Sequence, residues 1–508
     1  MNSLCTGLML LCAPLVLATP SCGQSSSPHV QQATARTAES ASRVAPVPQQ
    51  LFGSIALSTR SEDARKFVEL SLDKYENGLT EDALVLARHA TEKDPQFALG
   101  YAVLAFAARR TQPDGNSLAR ANFLVSKSSP DEQLLVRWMT SVEGHDLLPA
   151  IANMNDLLKR FPKDKHVLYL TAEWLYFQQD YDRSRKMMEQ VLQLDSSFPP
   201  ALNMLGYAYI QTGDPDPERA IASLKHYAEV LGTTPNPEDS LGEISRFAGD
   251  DRSSLEHYGA ALQIDPYFFT SQLGLGDTLT LMGNYQDARE EYDRAIKIAE
   301  TPRDVFHAKF QRALVYFWEG QTTAGRNSLD ALAVEAEKSK EPYAILEIGI
   351  GREMLAANYS ESLPLLKSLE AYLAKTPQGM SGSDHGVALA TVLREEVRLS
   401  AQNGQLSGAE QGIAKLEKLA VESRDLLVEG QYESAHGYLL FSQADFESAE
   451  NDLAADQQSP LALQQLITVQ SKLGNRAGVE NARNRLKYQR APTVEWYLVT
   501  HKSSAASD

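Results

Sequence analysis

A motif returns about every 34 residues along most of this chain. Residues 269–302 set the pattern, with Leu275-Gly276, Gly283-Asn284-Tyr285, Ala288, Tyr292 and Ala295. One period earlier, 235–268 carries Leu241-Gly242, Gly249-Asp250, Tyr258, Ala261 and Asp265-Pro266. Residues 199–234 carry Leu205-Gly206, Tyr209 and Gly213-Asp214, with Pro215 and Asp216 as an insertion. The frame continues through 165–198 and 131–164, so contiguous units hold phase from 131 to 302. Looser units follow to 493, and others precede as far back as 64, about twelve in all. A unit this short cannot bury its own apolar face. The units must therefore stack, which disfavours an ordinary helical bundle.

The spacing predicts two helices per unit. Small residues at fixed places let paired helices approach closely, and bulky ones fill the space between them. Gly-Asn or Gly-Asp ends the first helix, because glycine accepts positive φ after a helix end. Asp-Pro ends the second, since proline suits a first turn and not an interior. Almost no period-2 alternation is present, so strands are not expected. In these spacings the chain resembles the tetratricopeptide repeat (TPR) family. The resemblance implies an all-α fold, a right-handed α-solenoid of about twelve stacked helix-turn-helix TPR units. It divides the chain into a main array at 64–376, a Gly-rich break or hinge at 377–389, a second array at 390–493, and a cap and tail at 494–508.

The N-terminus reads differently. Cys5, Cys12 and Cys22 are the only cysteines, so the repeats contain no disulfide, thiolate site or cysteine nucleophile. Leu8 to Ala18 is an apolar run with the length of a signal-peptide core, ending in Val16-Leu17-Ala18. No Lys or Arg precedes Arg36. Ser21-Cys22 resembles the lipobox of bacterial lipoproteins, which implies acylation of Cys22; cleavage after Ala18 is the alternative. Residues 1–21 are therefore expected to be a signal peptide, and 22–63 a flexible tether rich in Ser, Gln and Pro. The expected location is the periplasm or a membrane, through a lipid anchor. A cytoplasmic location is the alternative.

Charge and motifs narrow the function. The chain of 508 residues has 48 Lys and Arg against 66 Asp and Glu, a net charge of −18. That balance opposes a nucleic-acid partner, which needs basic surface. The ten histidines are scattered, with no HExxH, and no phosphate loop or GxSxG elbow is present. No metal or cofactor is expected. Ser381, Ser383, Asp384 and His385 sit together in the Gly-rich segment, where adjacency alone makes no catalytic triad. Asp214, Asp216 and Glu218 read as a solvated turn rather than a calcium site.

What remains is the concave face that the resemblance implies, lined by the first helix of each unit. On this chain it maps to Tyr169, Glu173, Tyr176, Asn203, Tyr207, Glu243, Arg246 and Phe310. Rings would supply contact area and polar groups would pair with the backbone of a bound peptide. The Lys, Asn and Arg clamp by which chaperone-binding members hold a C-terminal carboxylate is not seen. The expectation is a non-enzymatic scaffold for a protein or peptide partner in the cell envelope. The alternatives are a glycan- or nutrient-binding helical lipoprotein and a cytoplasmic regulatory scaffold.

Overall fold

The computed structural model describes residues 55–108, 114–144, 146–456 and 458–502. The expected signal peptide, Cys22 and the tether before residue 55 lie outside them. Among the described residues there are 25 α-helices, one short 3-10 turn and no strand. The protein is all-α. It forms two compact units; the described part of the first ends at Leu170, and the second begins at Thr171.

The first unit holds α1 (Glu62–Glu76), α2 (Thr80–Lys93), α3 (Ala98–Ala108), α4 (Gly115–Leu124), α5 (Pro130–Glu143), α6 (Leu147–Arg160) and the start of α7 (Lys165–Phe177). Three of these helices begin where a side chain takes up an orphan amide. Ser61 caps α1, Asp114 caps α4, and Ser129 followed by Pro130 caps α5. The core is an aromatic file: Tyr75 meets Phe106 at 5.2 Å, and Phe106 meets Trp138 at 5.4 Å. Residues 55–61, which composition assigned to the tether, are tied to this unit. Ser129 donates its amide to Ser58 Oγ and its hydroxyl to the Ala56 carbonyl, both at 2.6 Å, and Thr59 donates to Asp94 at 2.6 Å. Buried Glu132 accepts the Ser58 amide, which leaves these residues little freedom.

The second unit continues with α8 (Tyr181–Leu194), α9 (Pro199–Gln211), α10 (Pro217–Leu231), α11 (Pro235–Ala248), α12 (Asp251–Ile264), α13 (Phe269–Leu281), α14 (Tyr285–Ile298), α15 (Pro302–Trp318), α16 (Thr322–Ser339), α17 (Pro342–Met354) and α18 (Tyr359–Leu373). It ends with α19 (Gly382–Gln402), α20 (Leu406–Ser423), α21 (Leu426–Ser442), α22 (Phe446–Ala455), α23 (Pro460–Leu473), α24 (Arg476–Lys487) and α25 (Val494–Lys502). Consecutive helices pack as pairs, and each pair packs on the next. The small residues act as the spacing required. A Cβ on Gly242 would lie 2.8 Å from the Tyr258 ring, and one on Gly274 would lie 2.3 Å from it, so two glycines from neighbouring repeats seat one tyrosine.

Turns repeat as faithfully as helices. Asp195 and Asp265 end their helices in extended conformation, accept the amide two residues on, and lead to the buried Phe198 and Phe268. Between paired helices the chain passes through positive φ, at Gly249 (83°) and Gly283 (81°), for example. Ala444 fills the equivalent turn at 63°. A Cβ in that region costs about 1 kcal/mol. Ala444→Gly is expected to raise stability by up to about 1 kcal/mol, less glycine's extra unfolded-state entropy; a urea midpoint unchanged or lowered would contradict it.

The Gly-rich segment is less of an interruption than its composition implied. Ser381 caps α19, and Gly382 to Gly386 form the helix's first turns. One apolar core runs from Phe306 through Leu373 and Val387 to Leu439 and takes in Val494 and Leu498. Helix α25 does more than cover the last pair. It packs on α23 and also on α17, and Tyr497 meets Trp318 of α15 at 5.5 Å.

Candidate functional site: the inner helix faces

Tyr169 belongs to the first unit. It is buried, and its hydroxyl donates to the Glu76 carbonyl at 3.3 Å. The Glu76 carboxylate meets His166 at 2.8 Å. Burial pulls the His166 imidazole down, but Glu76 outweighs it and holds it above its usual value.

In the second unit the first helices of successive repeats bring several expected residues together. Tyr207 of α9 donates to Glu243 of α11 at 3.1 Å. Arg246, one turn along α11, donates to Glu243 at 3.3 Å and to Asp277 of α13 at 3.0 Å. Ser240 donates to Asn203 at 3.0 Å. Ser271 and two tyrosines of the repeat pattern complete the set: Tyr292 donates to Asp277, Ser271 donates to Asp239 at 2.6 Å, and Arg246 pairs with the Tyr258 hydroxyl. Asp239 shares the helix face of Glu243 and Arg246, as the repeat spacing had placed it; Asp277 adds a third carboxylate from α13. The network has three carboxylates against one guanidinium. Burial pushes Asp239 up to about 7 and Glu243 up to about 8, with Arg246 pulling both back only in part.

The remaining residues are placed apart. Glu173 and Tyr176 are buried on α7; Tyr176 comes near enough to Glu243 to feel its charge, yet its hydroxyl has no hydrogen-bond partner. Phe310 sits in the apolar core, where a Cβ on Gly351 would touch its ring. The other loop residues serve the scaffold: Tyr343 donates to Asp384 and His385 meets the Leu373 carbonyl, both at 2.7 Å. Among the described residues, no group of three or more His, Cys, Asp or Glu is placed to hold a metal ion, and no helix is long and apolar enough to cross a membrane.

The residues expected to line the concave face are buried. Tyr207 is 0% exposed, Glu243 3% and Arg246 3%; of the eight expected residues only Asn203 is more than marginally accessible. The reason is the path of the array within the second unit. Asn481 of α24 donates to the Gly213 carbonyl at 3.1 Å, 268 residues earlier. Arg490 makes two bonds to Asp251, at 2.7 and 2.9 Å, 239 residues earlier. Burial, with Asp456 nearby, raises the Tyr181 hydroxyl above its usual range. Those separations are roughly seven to eight periods of the repeat. The stack has turned until its end meets its beginning, and the inner faces are enclosed.

Residues 270–302 match the family profile of the tetratricopeptide repeat. That is α13 and α14, the pair whose spacing defined the period. The chain carries a tetratricopeptide repeat there. Solved structures similar to this TPR chain include yeast Tom70, 14% identical over 84% of this chain and 92% of that one, with a TM-score of 0.41. PilW, a type IV pilus biogenesis factor, is 17% identical over 40% of this chain and 92% of that one, with a TM-score of 0.35. YrrB, a TPR protein with an unusual peptide-binding site, is 14% identical over 38% of this chain and 95% of that one, with a TM-score of 0.27. No curated protein matches the chain. TPR arrays are characteristically non-enzymatic scaffolds for protein–protein interaction.

Proposed function

We propose that this TPR protein is a docking scaffold of the cell envelope that holds a peptide segment of a partner against the inner faces of α9, α11 and α13. One observation carries the reading: the line Tyr207, Glu243, Arg246 and Asp277 runs across three successive first helices. Stacking a solenoid needs apolar contacts and gains little from buried ions, whose desolvation offsets their attraction. Phenol, carboxylate and guanidinium groups at repeat spacing are suited to pairing with a peptide backbone and its basic side chains. The apolar run from Leu8 to Ala18 and Cys22 support export with a lipid anchor.

Random dodecapeptides displayed on phage and selected on the full chain test the groove. Selected peptides are expected to lose at least roughly tenfold in affinity on Tyr207→Ala, about 1.4 kcal/mol. No enrichment, or binding indifferent to that change in a variant of normal helicity, would remove the reading. Intact mass after expression with the native N-terminus tests export: a species starting at acylated Cys22 is expected, and an unprocessed soluble chain would move the scaffold to the cytoplasm.

A further inference from the structure

We infer that the second unit opens and closes at the seam where its last repeat meets its first, with the Arg490–Asp251 pair as the latch. The inner faces of α9 and α11 would then be accessible only in the open form.

The two sides of the closure are held very differently. Helix α25 is fixed by apolar contact: Val494 and Leu498 lie in the large core, and Tyr497 meets Phe317 and Trp318. It also packs side by side with α17 and α23. Across the seam, among the described residues, no helix from α9 to α12 packs along α23 or α24 as α25 does along α23. The contacts that join its two sides are polar, Arg490 with Asp251 and Asn481 with the Gly213 carbonyl.

The polar groups flanking those contacts are poorly satisfied. Gln211, two residues before Gly213, has neither carboxamide atom hydrogen-bonded. Gln489, beside Arg490, lacks a partner for its carboxamide oxygen, and Arg485, one turn after Asn481, lacks one for Nη2. Tyr176 on α7 lacks one for its hydroxyl. All four side chains are more than nine-tenths buried. A buried polar atom without a partner forfeits its bonds to water, which opening would restore. Closure therefore dehydrates polar groups that find no partner in return. The ion pair is the strongest attraction across the seam, and its side chains are 22% and 21% exposed, so salt reaches it.

A partner segment cannot touch Tyr207 or Glu243 while the turn is shut. The latch thus deepens the proposed docking role, since a basic segment able to replace Arg490 at Asp251 would favour the open form. Its existence does not depend on that role and can be measured with no partner present.

The chain has no cysteine after residue 22, so Cys5, Cys12 and Cys22 replaced by serine leave a clean background. Spin labels at Glu218→Cys and Glu480→Cys, both exposed, bracket the seam, and double electron–electron resonance reads the distance between them. At low salt one short, narrow distance is expected. Arg490→Ala, or about 1 M salt on the unmutated seam, should raise a longer population roughly fivefold or more. Arg490→Asp combined with Asp251→Arg should restore the short distance. Distances unchanged by both Arg490→Ala and salt would overturn the inference, as would failure of the reversed pair to close. A loss of helicity accompanying the longer distance would overturn it too, because a latch opens without unfolding. If the distances behave as expected and no peptide is ever selected, the latch stands and the docking reading alone fails.

Discussion

Arg394→Ala is expected to cost about 3–5 kcal/mol, the range for stripping one partner from a buried ion network. Arg394 is fully enclosed and donates to Glu395 at 2.9 Å, Asp456 at 3.3 Å and Glu495 at 3.3 Å. It joins α19, the turn before α23, and α25, which nothing else polar brings to one point. Without it Glu395 retains Arg398, at 2.7 Å, and Asp456 retains Ser434, at 2.8 Å. Glu495 keeps only neutral donors, Ser459 Oγ and the Leu461 amide, for a carboxyl that burial already pushes up to about 7. The loss should therefore shrink below pH 7, where Glu495 takes a proton and needs no counter-charge. Urea unfolding of both proteins at pH 5 and pH 8 measures it. A difference below about 1 kcal/mol at pH 8 would mean that apolar packing, not Arg394, fixes α25.

The second large effect is a fall in stability as pH rises from about 5 to 8. Asp239 and Glu243 hold protons up to about 7 and about 8 when folded. In the unfolded chain they release them near 4. Between those limits the folded state binds more protons, so each rise in pH favours unfolding, by up to about 1.4 kcal/mol per unit per group. A combined loss on the order of 6 kcal/mol is expected. His307 works in the same direction: burial lowers it, Glu347 at 2.7 Å outweighs that, and its contribution fades as pH passes its raised value. Glu395 works oppositely. Burial raises it, Arg398 and Arg394 outweigh that, and its contribution is lost only as pH falls into the acid range. Stability should thus be greatest in mildly acid solution. Glu243→Gln should flatten the slope between pH 6 and 8, and an unchanged slope would assign it elsewhere.

The repeat spacing was enough to place most helices. Leu275-Gly276 with Tyr292, and Gly242 with Tyr258, state a close helix pair directly, because only a glycine leaves room for the ring that follows. Asp265-Pro266 and Gly283 mark where helices stop, because a proline and a positive φ each permit few alternatives. Composition served less well where tertiary contacts outvoted it. Residues 55–61 look like tether, yet their hydroxyls and amides bind Ser129, Asp94 and Glu132. The glycines at 382 and 386 look like a break, yet Ser381 caps them into α19.

The candidate site divides in the same way. Local spacing determined that Tyr207, Glu243 and Arg246 would share the inner helix faces, since residues on one face of a helix follow from its period alone. Whether that face met water or protein was decided by contacts such as Arg490 with Asp251, 239 residues apart. Small rotations between repeats add up along the stack, and their sum depends on packing throughout it rather than on any one unit. The sequence therefore determined the repeat, its helices and its inner residues. Only the tertiary structure decided that the turn closes, that its carboxylates are buried beside too few cations, and that α25 is locked inside.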